Sequence, residues 1–115
     1  MPRINSFKDF DGFKKSREFV QVVGNMVRSS KCNLDHELVH QLRRSSISVL
    51  SNFAEGYERD GTKEFIQFLA ISKGSVGEAR AQLIYALDQG YISPDQYEPA
   101  DQLGEESSRL IGGLI

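Results

Sequence analysis

The stretch TKEFIQFLAISKGSVGEARAQLIYALDQ, residues 62–89, decides the fold of this chain. Its apolar side chains recur at spacings of three and four, which is the period of an amphipathic α-helix. Gly90 follows at once, in the position where many helices end with a left-handed residue. The segment therefore predicts one long helix, whose main apolar stripe consists of Phe65, Leu69, Val76, Leu83, Ala86 and Leu87.

Three further segments have the same period and are predicted as helices over about residues 11–30, 35–58 and 94–113. Four helices joined by short loops favour an up-down-up-down bundle, in which neighbouring helices are antiparallel. A chain of 115 residues fits one domain. The sequence therefore predicts an all-α protein, a single antiparallel four-helix bundle over residues 1–115.

The expected helix starts carry side chains that can accept hydrogen bonds from free backbone N–H groups. Asn33 or Asp35 is the expected cap of the second helix, and Asp60 or Thr62 that of the third. The stretch Ser93–Gln96 gives the clearest start signal, since it combines a serine cap, a proline in the first turn and a capping-box glutamine.

Bulk composition argues against several classes of protein. Cys32 is the only cysteine, so no internal disulfide can form, and a structural zinc site usually needs more Cys and His. His36 and His40 share a helix face, but no Cys or carboxylate completes a known metal motif around them. No metal or cofactor is therefore expected. The N-terminus lacks the apolar run of a signal peptide and no segment is long enough to cross a membrane, so a cytoplasmic location is predicted.

Charge is unevenly distributed along the chain, although the net charge is only −2. Residues 1–31 carry seven Lys or Arg and three Asp or Glu, whereas residues 90–115 carry one Arg and five Asp or Glu. The first and last helices of a bundle are often neighbours, so these opposite charges could attract each other within one chain. The competing interpretation is a basic binding face, with candidate contacts at Lys14, Lys15, Arg17, Arg43 and Arg44.

The third helix is apolar over more of its circumference near its start than a lone bundle needs. Phe7, Phe10 and Phe13, just before and at the start of the first helix, are expected to pack over one end of the bundle. The surplus on the third helix instead indicates a subunit interface, for which the candidate residues are Phe65, Ile66, Phe68 and Ile71.

Polar residues lie on or beside the apolar faces of the second and third helices. A buried polar group without a partner costs about 1–3 kcal/mol, so such residues should bond to one another. Glu55 and Glu78 could instead form an acid–base pair, but no Glu-x-x-His motif or second catalytic group accompanies them. The preferred interpretation is a structural network of Asn52, Glu55, Ser75 and Glu78, with Arg44 or Arg80 as a candidate further member.

Two stretches, residues 41–56 and residues 63–69 followed by 74–83, resemble the bacterial four helix bundle protein family. The family includes proteins encoded in intervening sequences of 23S ribosomal RNA genes, and it is similar to the accessory protein of diversity-generating retroelements. The most specific part is Ser-Asn-Phe-Ala-Glu-Gly at residues 51–56. The resemblance covers about residues 10–114.

This resemblance implies a four-helix bundle that assembles into a homopentamer and has been considered a nucleic-acid binder. The expected function is a non-enzymatic, self-associating scaffold or adaptor, with no catalytic residues, no small-molecule substrate and no membrane partner. The alternative is an accessory protein that binds RNA or another nucleic acid through a basic face of the oligomer.

Overall fold

The computed structural model describes residues 3–115, so Met1 and Pro2 of the predicted domain lie outside the described residues. This part of the chain contains no strand, and the prediction of an all-α four-helix bundle is confirmed. Each long helix begins and ends within one residue of its expected bounds. The helices are α1 (Asp11–Ser29), α2 (His36–Glu58), α3 (Thr62–Asp88) and α4 (Pro94–Gly112). Short 3₁₀ helices lie at Phe7–Asp9 and Lys31–Leu34.

The helices are arranged in a ring, with each one packed against two neighbours. Helix α1 contacts α2 and α4, and α3 contacts the same two helices from the other side. Helices α1 and α3 therefore lie on one diagonal, and α2 and α4 on the other. Among neighbouring pairs, α2 and α3 have the most extensive contact and α1 and α2 the least.

Side-chain caps explain where two of the four long helices begin. The Asp35 carboxylate accepts from the backbone N–H of Leu38 at 3.0 Å, so Asp35 caps α2. Ser93 and Gln96 form the expected capping box at the start of α4. The predicted cap of α3 was wrong: neither Asp60 nor Thr62 caps it. The capping position is Gly61, which has no side chain to bond, while Asp60 has a φ of 60° in the turn after α2.

Helix α3 ends as its sequence predicts. Gly90 has a φ of 76°, a conformation that glycine adopts without the steric cost of a Cβ. The N–H of Gly90 donates to the carbonyl of Leu87, and that of Tyr91 donates to Ala86. Two such bonds define the Schellman motif, which satisfies the last carbonyls of a helix.

The core lies along the axis of the bundle and draws on all four helices. Burial of one large apolar side chain contributes about 1.5–3 kcal/mol, so this set supplies much of the driving force for folding. Its largest fully buried members are Phe19, Phe53, Leu42, Leu69, Leu83 and Ile111.

Small residues bring the backbones of α2 and α3 close together. A Cβ added to Gly56 would lie 2.5 Å from the Cβ of Phe68, a distance that real Cβ atoms do not show. The Ser72 hydroxyl crosses the same contact and donates to the carbonyl of Val49 at 2.7 Å. We call this contact the α2/α3 seam. Its short spacing explains why these two helices share the largest contact in the bundle.

Candidate functional site

The wide contact between α1 and α2 leaves a groove on the surface of the bundle. Its volume is about 380 Å³, and its lining contains three arginines and no carboxylate. We call it the arginine groove, formed by Arg17, Val20, Gln21, Gly24 and Arg28 of α1 with Arg43, Ser46, Ile47 and Leu50 of α2. Its floor is partly apolar and its rim is cationic, so it can accept an anionic ligand that also presents apolar surface.

Two of the five predicted nucleic-acid contacts, Arg17 and Arg43, line this groove together. Lys14 lies beside Arg17 on the exposed side of α1. Arg28 was not among the predicted contacts, although it lies on the same face of α1 as Arg17. The helical period could have found it, because residues eleven apart are about three turns apart.

The other two predicted contacts lie elsewhere. Lys15 faces α4, where its ammonium lies 3.2 Å from the Glu18 carboxylate and 3.3 Å from that of Glu106. Hydrogen bonds to Glu18 and then Glu106 raise the pKa of Lys15 above its usual 10.5. Arg44 is exposed on α2 and does not line the groove.

Helix α4 presents the opposite charge. Its exposed side carries a shallow depression lined by four carboxylates and one arginine, which we call the acidic face: Glu98, Asp101, Glu105, Glu106 and Arg109. Asp101 is held by Arg80 of α3, whose Nε lies 2.8 Å from Oδ1 and whose Nη2 lies 3.2 Å from Oδ2. The hydrogen bond to Asp101 raises the pKa of Arg80. Two other carboxylates of the acidic face, Glu98 and Glu105, have no ion-pair partner in residues 3–115.

A polar network joins α2 and α3 through hydroxyl and amide groups. The hydroxyls of Ser48 and Ser75 lie 2.8 Å apart, and the Asn52 amide donates to the Ser48 hydroxyl at 2.8 Å. One turn away, the Ser45 hydroxyl donates to the Gln82 side chain at 2.7 Å. The structure thus brings the predicted Asn52 and Ser75 together, with Ser48 as the link that the prediction omitted.

The two glutamates of the predicted network lie outside it. Glu55 is exposed and pairs with Arg59 on its own helix at 2.7 Å. Glu78 is exposed and accepts a long bond of 3.4 Å from Gln82. Neither proposed arginine joins the network, since Arg44 is exposed and Arg80 pairs with Asp101. The reason is rotational: Glu55 lies three residues after Asn52, about 60° short of a full turn of the helix, and on the side towards solvent.

The apolar surplus at the start of α3 is largely used within the chain. The Phe65 ring lies 5.6 Å from the Phe10 ring and 5.8 Å from that of Phe53, both edge to face. Phe68 packs against Gly56, and the Arg59 guanidinium lies 5.1 Å from its ring centre. Phe65 and Phe68 are therefore half-buried inside the subunit. Of the predicted interface residues, Ile66 is partly buried and Ile71 is exposed.

The exposed side of α3 further along the helix combines small and apolar residues with the charged Lys73 and Glu78. Four small residues, Ala70, Gly74, Gly77 and Ala81, lie on it, and no atom lies within 4 Å of a Cβ added to either glycine. Three large apolar side chains border them and remain about half exposed: Ile71 (51%), Ile84 (45%) and Tyr85 (48%). We call these seven residues the outer face of α3.

Other chemistry is sparse in the described part of the chain. His36 and His40 are both exposed, and residues 3–115 contain no group of three or more Cys, His, Asp or Glu placed to hold a metal ion. Cys32 is a buried free thiol. None of the helices within residues 3–115 combines the length and apolar character needed to cross a bilayer.

Comparison with known proteins places this chain in a family. The family model described as 23S rRNA-intervening sequence protein matches residues 8–113. Among curated proteins, no match is found. Among solved structures, the fold is similar to a protein of unknown function from the S23 ribosomal protein family of Bacteroides thetaiotaomicron VPI-5482. The TM-score is 0.81 at 25% identity, over 90% of this chain and 97% of that one. The chain therefore belongs to the 23S rRNA-intervening sequence protein family.

Proposed function

We propose that this protein is a non-enzymatic scaffold or adaptor of the cytoplasm that acts as a homo-oligomer, with a homopentamer as the expected assembly. The observation that carries the proposal is the outer face of α3. A row of small residues bordered by half-exposed Ile71, Ile84 and Tyr85 is what a second protein surface can cover closely. The partner proposed is another copy of this chain.

Helix energetics support this assignment. A glycine in a helix interior costs about 1 kcal/mol relative to alanine. At Gly74 and Gly77 no neighbouring atom of the chain explains that cost, because an alanine would meet open space at both positions. Close approach of a second subunit would explain it. Contiguous exposed apolar surface of this kind is also typical of protein–protein contacts.

The proposal of a non-enzymatic role is supported by the separation of the two candidate catalytic groups. Glu55 pairs with Arg59 of its own helix, and Glu78 contacts Gln82 of its own helix. An acid–base pair needs both groups within hydrogen-bond reach of one substrate. The buried hydroxyls between α2 and α3 are bonded to each other, to the Gln82 side chain or to backbone carbonyls, and no histidine accompanies them.

A charge placed on the outer face of α3 tests the proposal. In Gly77→Glu a carboxylate would have to be desolvated in the interface, so the variant is expected to elute from a sizing column as a smaller species than the parent. Gly113→Glu makes the same substitution at an exposed glycine after α4 and should leave the elution volume unchanged. Unchanged elution of Gly77→Glu, with a native helical spectrum, would remove the outer face of α3 from the proposal.

The second candidate function is binding of RNA, which the arginine groove favours. Three arginines converge on one groove whose lining has no carboxylate, and a ring of subunits would repeat this groove around its rim. The family name, which refers to 23S rRNA, fits such a ligand.

Salt dependence is the test of this candidate. Phosphate contacts release counterions, so affinity for a structured RNA should fall steeply as salt rises, and Arg43→Ala should reduce the salt slope. Arg44→Ala is the matched control, because Arg44 is exposed on the same helix but lies outside the groove. Absence of RNA binding at low salt would reject this function.

A further inference from the structure

The opposite charges of α1 and α4 are not neutralised where the two helices meet. Within residues 3–115 a single basic residue of α1, Lys15, pairs with α4, through Glu106. Arg28 lines the groove on the α2 side of α1, and Arg17 lines both that groove and a depression beside Leu103 of α4, without an ion pair to α4. The attraction expected within one chain is thus largely unused, and a cationic groove and an anionic face remain on one subunit.

These two surfaces lie on different sides of the bundle. The arginine groove runs between α1 and α2, whereas the acidic face lies on α4, which neighbours α1 and is diagonally across from α2. A subunit that carries complementary surfaces on two different sides can bind a second copy head to tail, and repetition of such a contact closes a ring when the rotation permits.

Both surfaces run along helices. A groove between two helices accepts the side-chain ridge of a third helix. Arg17 and Arg28 are eleven residues apart, or about 16 Å along α1 at the rise of an α-helix. The carboxylates of the acidic face extend over eight residues, from Glu98 to Glu106, or about 12 Å along α4, so they fit within the length of the groove. In the groove, Ile47 is 58% exposed and offers apolar surface that a second subunit would cover.

We propose that the arginine groove of one copy receives the acidic face of α4 from a second copy, in a heterologous contact. The inference rests on the proposed self-association and specifies its geometry. The acidic face carries four carboxylates and one arginine, and the groove three arginines, so the two surfaces have net charges of opposite sign. Glu98 and Glu105 are the carboxylates free to pair with the arginines, because Asp101 and Glu106 already hold Arg80 and Lys15.

A second copy explains the pattern better than RNA does. An RNA ligand would use the groove and leave the acidic face without a role. It would also approach a subunit whose net charge is −2. Binding of a second copy uses both surfaces at once, and it pairs the arginines of the groove with the carboxylates of the acidic face.

Charge exchange on the full chain tests the contact, with assembly mass followed by sedimentation. One variant reverses the charge of two groove residues (Arg17→Glu with Arg43→Glu). Another reverses the charge of two residues of the acidic face (Glu98→Lys with Glu105→Lys), and a third carries all four changes. Like charges facing each other in an interface are strongly unfavourable, so each reversal should weaken association about tenfold or more. The four-change chain restores opposite charges and should associate to within about threefold of the parent, by the same complementarity.

A control makes one charge reversal of each sign elsewhere on the surface. Arg44→Glu and Glu58→Lys lie at exposed positions of α2 outside both surfaces and should leave the assembly mass unchanged. All substituted positions are exposed, and a native helical spectrum of each variant confirms that it is folded.

The outcomes separate the proposals. Restored association in the four-change chain supports the heterologous contact. A parent that associates, with reversals that do not change its mass, overturns this contact and leaves self-association through α3 standing. A monomeric parent overturns both. If the variant with reversed groove charge keeps the assembly mass of the parent but loses RNA binding, the groove is assigned to RNA and the proposed contact is overturned.

Discussion

Gly56 and Gly77 lie in the interiors of neighbouring helices, yet their surroundings are opposite. A Cβ on Gly56 would collide with Phe68, whereas a Cβ on Gly77 would meet nothing within 4 Å. The first glycine is required by packing inside the subunit. The second is not, which is why the outer face of α3 carries the proposal of a subunit contact. The same residue type thus marks an internal seam at one place and an open face at the other.

The two sides of α2 show a parallel contrast. Towards α3, serines and Gly56 bring the backbones close and fill the contact with hydrogen bonds. Towards α1, Arg43 and Ile47 line an open groove. Packing is therefore densest where side chains are small and uncharged, and loosest where arginines must remain in water.

The largest expected effect comes from removing one large buried side chain from the core beside the α2/α3 seam. Phe53→Ala removes a fully buried ring that stacks with Phe10, Phe13 and Phe65, and should lower the free energy of unfolding by about 3–5 kcal/mol. Urea denaturation measures this. Ile71→Ala on the open side should change subunit stability by no more than about 0.5 kcal/mol. Similar losses in both variants would erase the distinction between the two regions.

The next effect concerns the close approach at the seam. Gly56→Ala gains helix propensity but forces its Cβ against Phe68, and overpacking of this kind costs about 1–3 kcal/mol. A lower denaturation midpoint is therefore expected. A midpoint equal to or above that of the parent would mean that α2 and α3 separate at little cost.

The opposite sign is expected on the outer face of α3. Gly77→Ala meets open space within the subunit, so it should raise the free energy of unfolding by up to about 1 kcal/mol. Denaturation at protein concentrations low enough to dissociate any assembly isolates this effect from association. Destabilisation under those conditions would show that Gly77 is constrained inside the subunit after all.

The smallest effect concerns a polar contact at the loop end of the bundle. The Tyr91 hydroxyl donates to the Asp35 carboxylate at 3.0 Å, and this bond raises the pKa of Tyr91 above 10.0. A raised pKa in the folded state means that the contribution to stability is complete below pH 10 and is lost as pH rises through the folded value. Tyr91→Phe should therefore be less stable than the parent at neutral pH, and the difference should shrink above about pH 10. A difference that does not change between pH 8 and 11 would contradict this assignment.

Most of the fold was predictable because its signals are local. The period of three and four set the helices, and Asp35, Ser93 and Gly90 marked ends that depend only on nearby backbone groups. The capping residue of α3 was missed, although its first residue was not, because Gly61 and Asp60 both favour turns and only the backbone conformation shows which of them takes the left-handed φ.

The candidate surfaces were less predictable because they depend on contacts between distant segments. Phe65 appeared free for a partner subunit, but Phe10 returns from the segment before α1 to cover it. Glu55 lies one turn from Asn52, and a small rotation of the helix places it in water rather than in the network. The groove itself depends on the spacing of α1 and α2, which no local pattern encodes.

The central claim, that this chain acts as an assembly, is tested most directly by its mass in solution. Light scattering on the full chain at micromolar concentrations should give a mass several times the 12.9 kDa of one subunit. That mass should fall on dilution and as salt rises, because ionic strength screens the charges of the proposed contact. A mass of 12.9 kDa at low salt and micromolar concentration would contradict the claim.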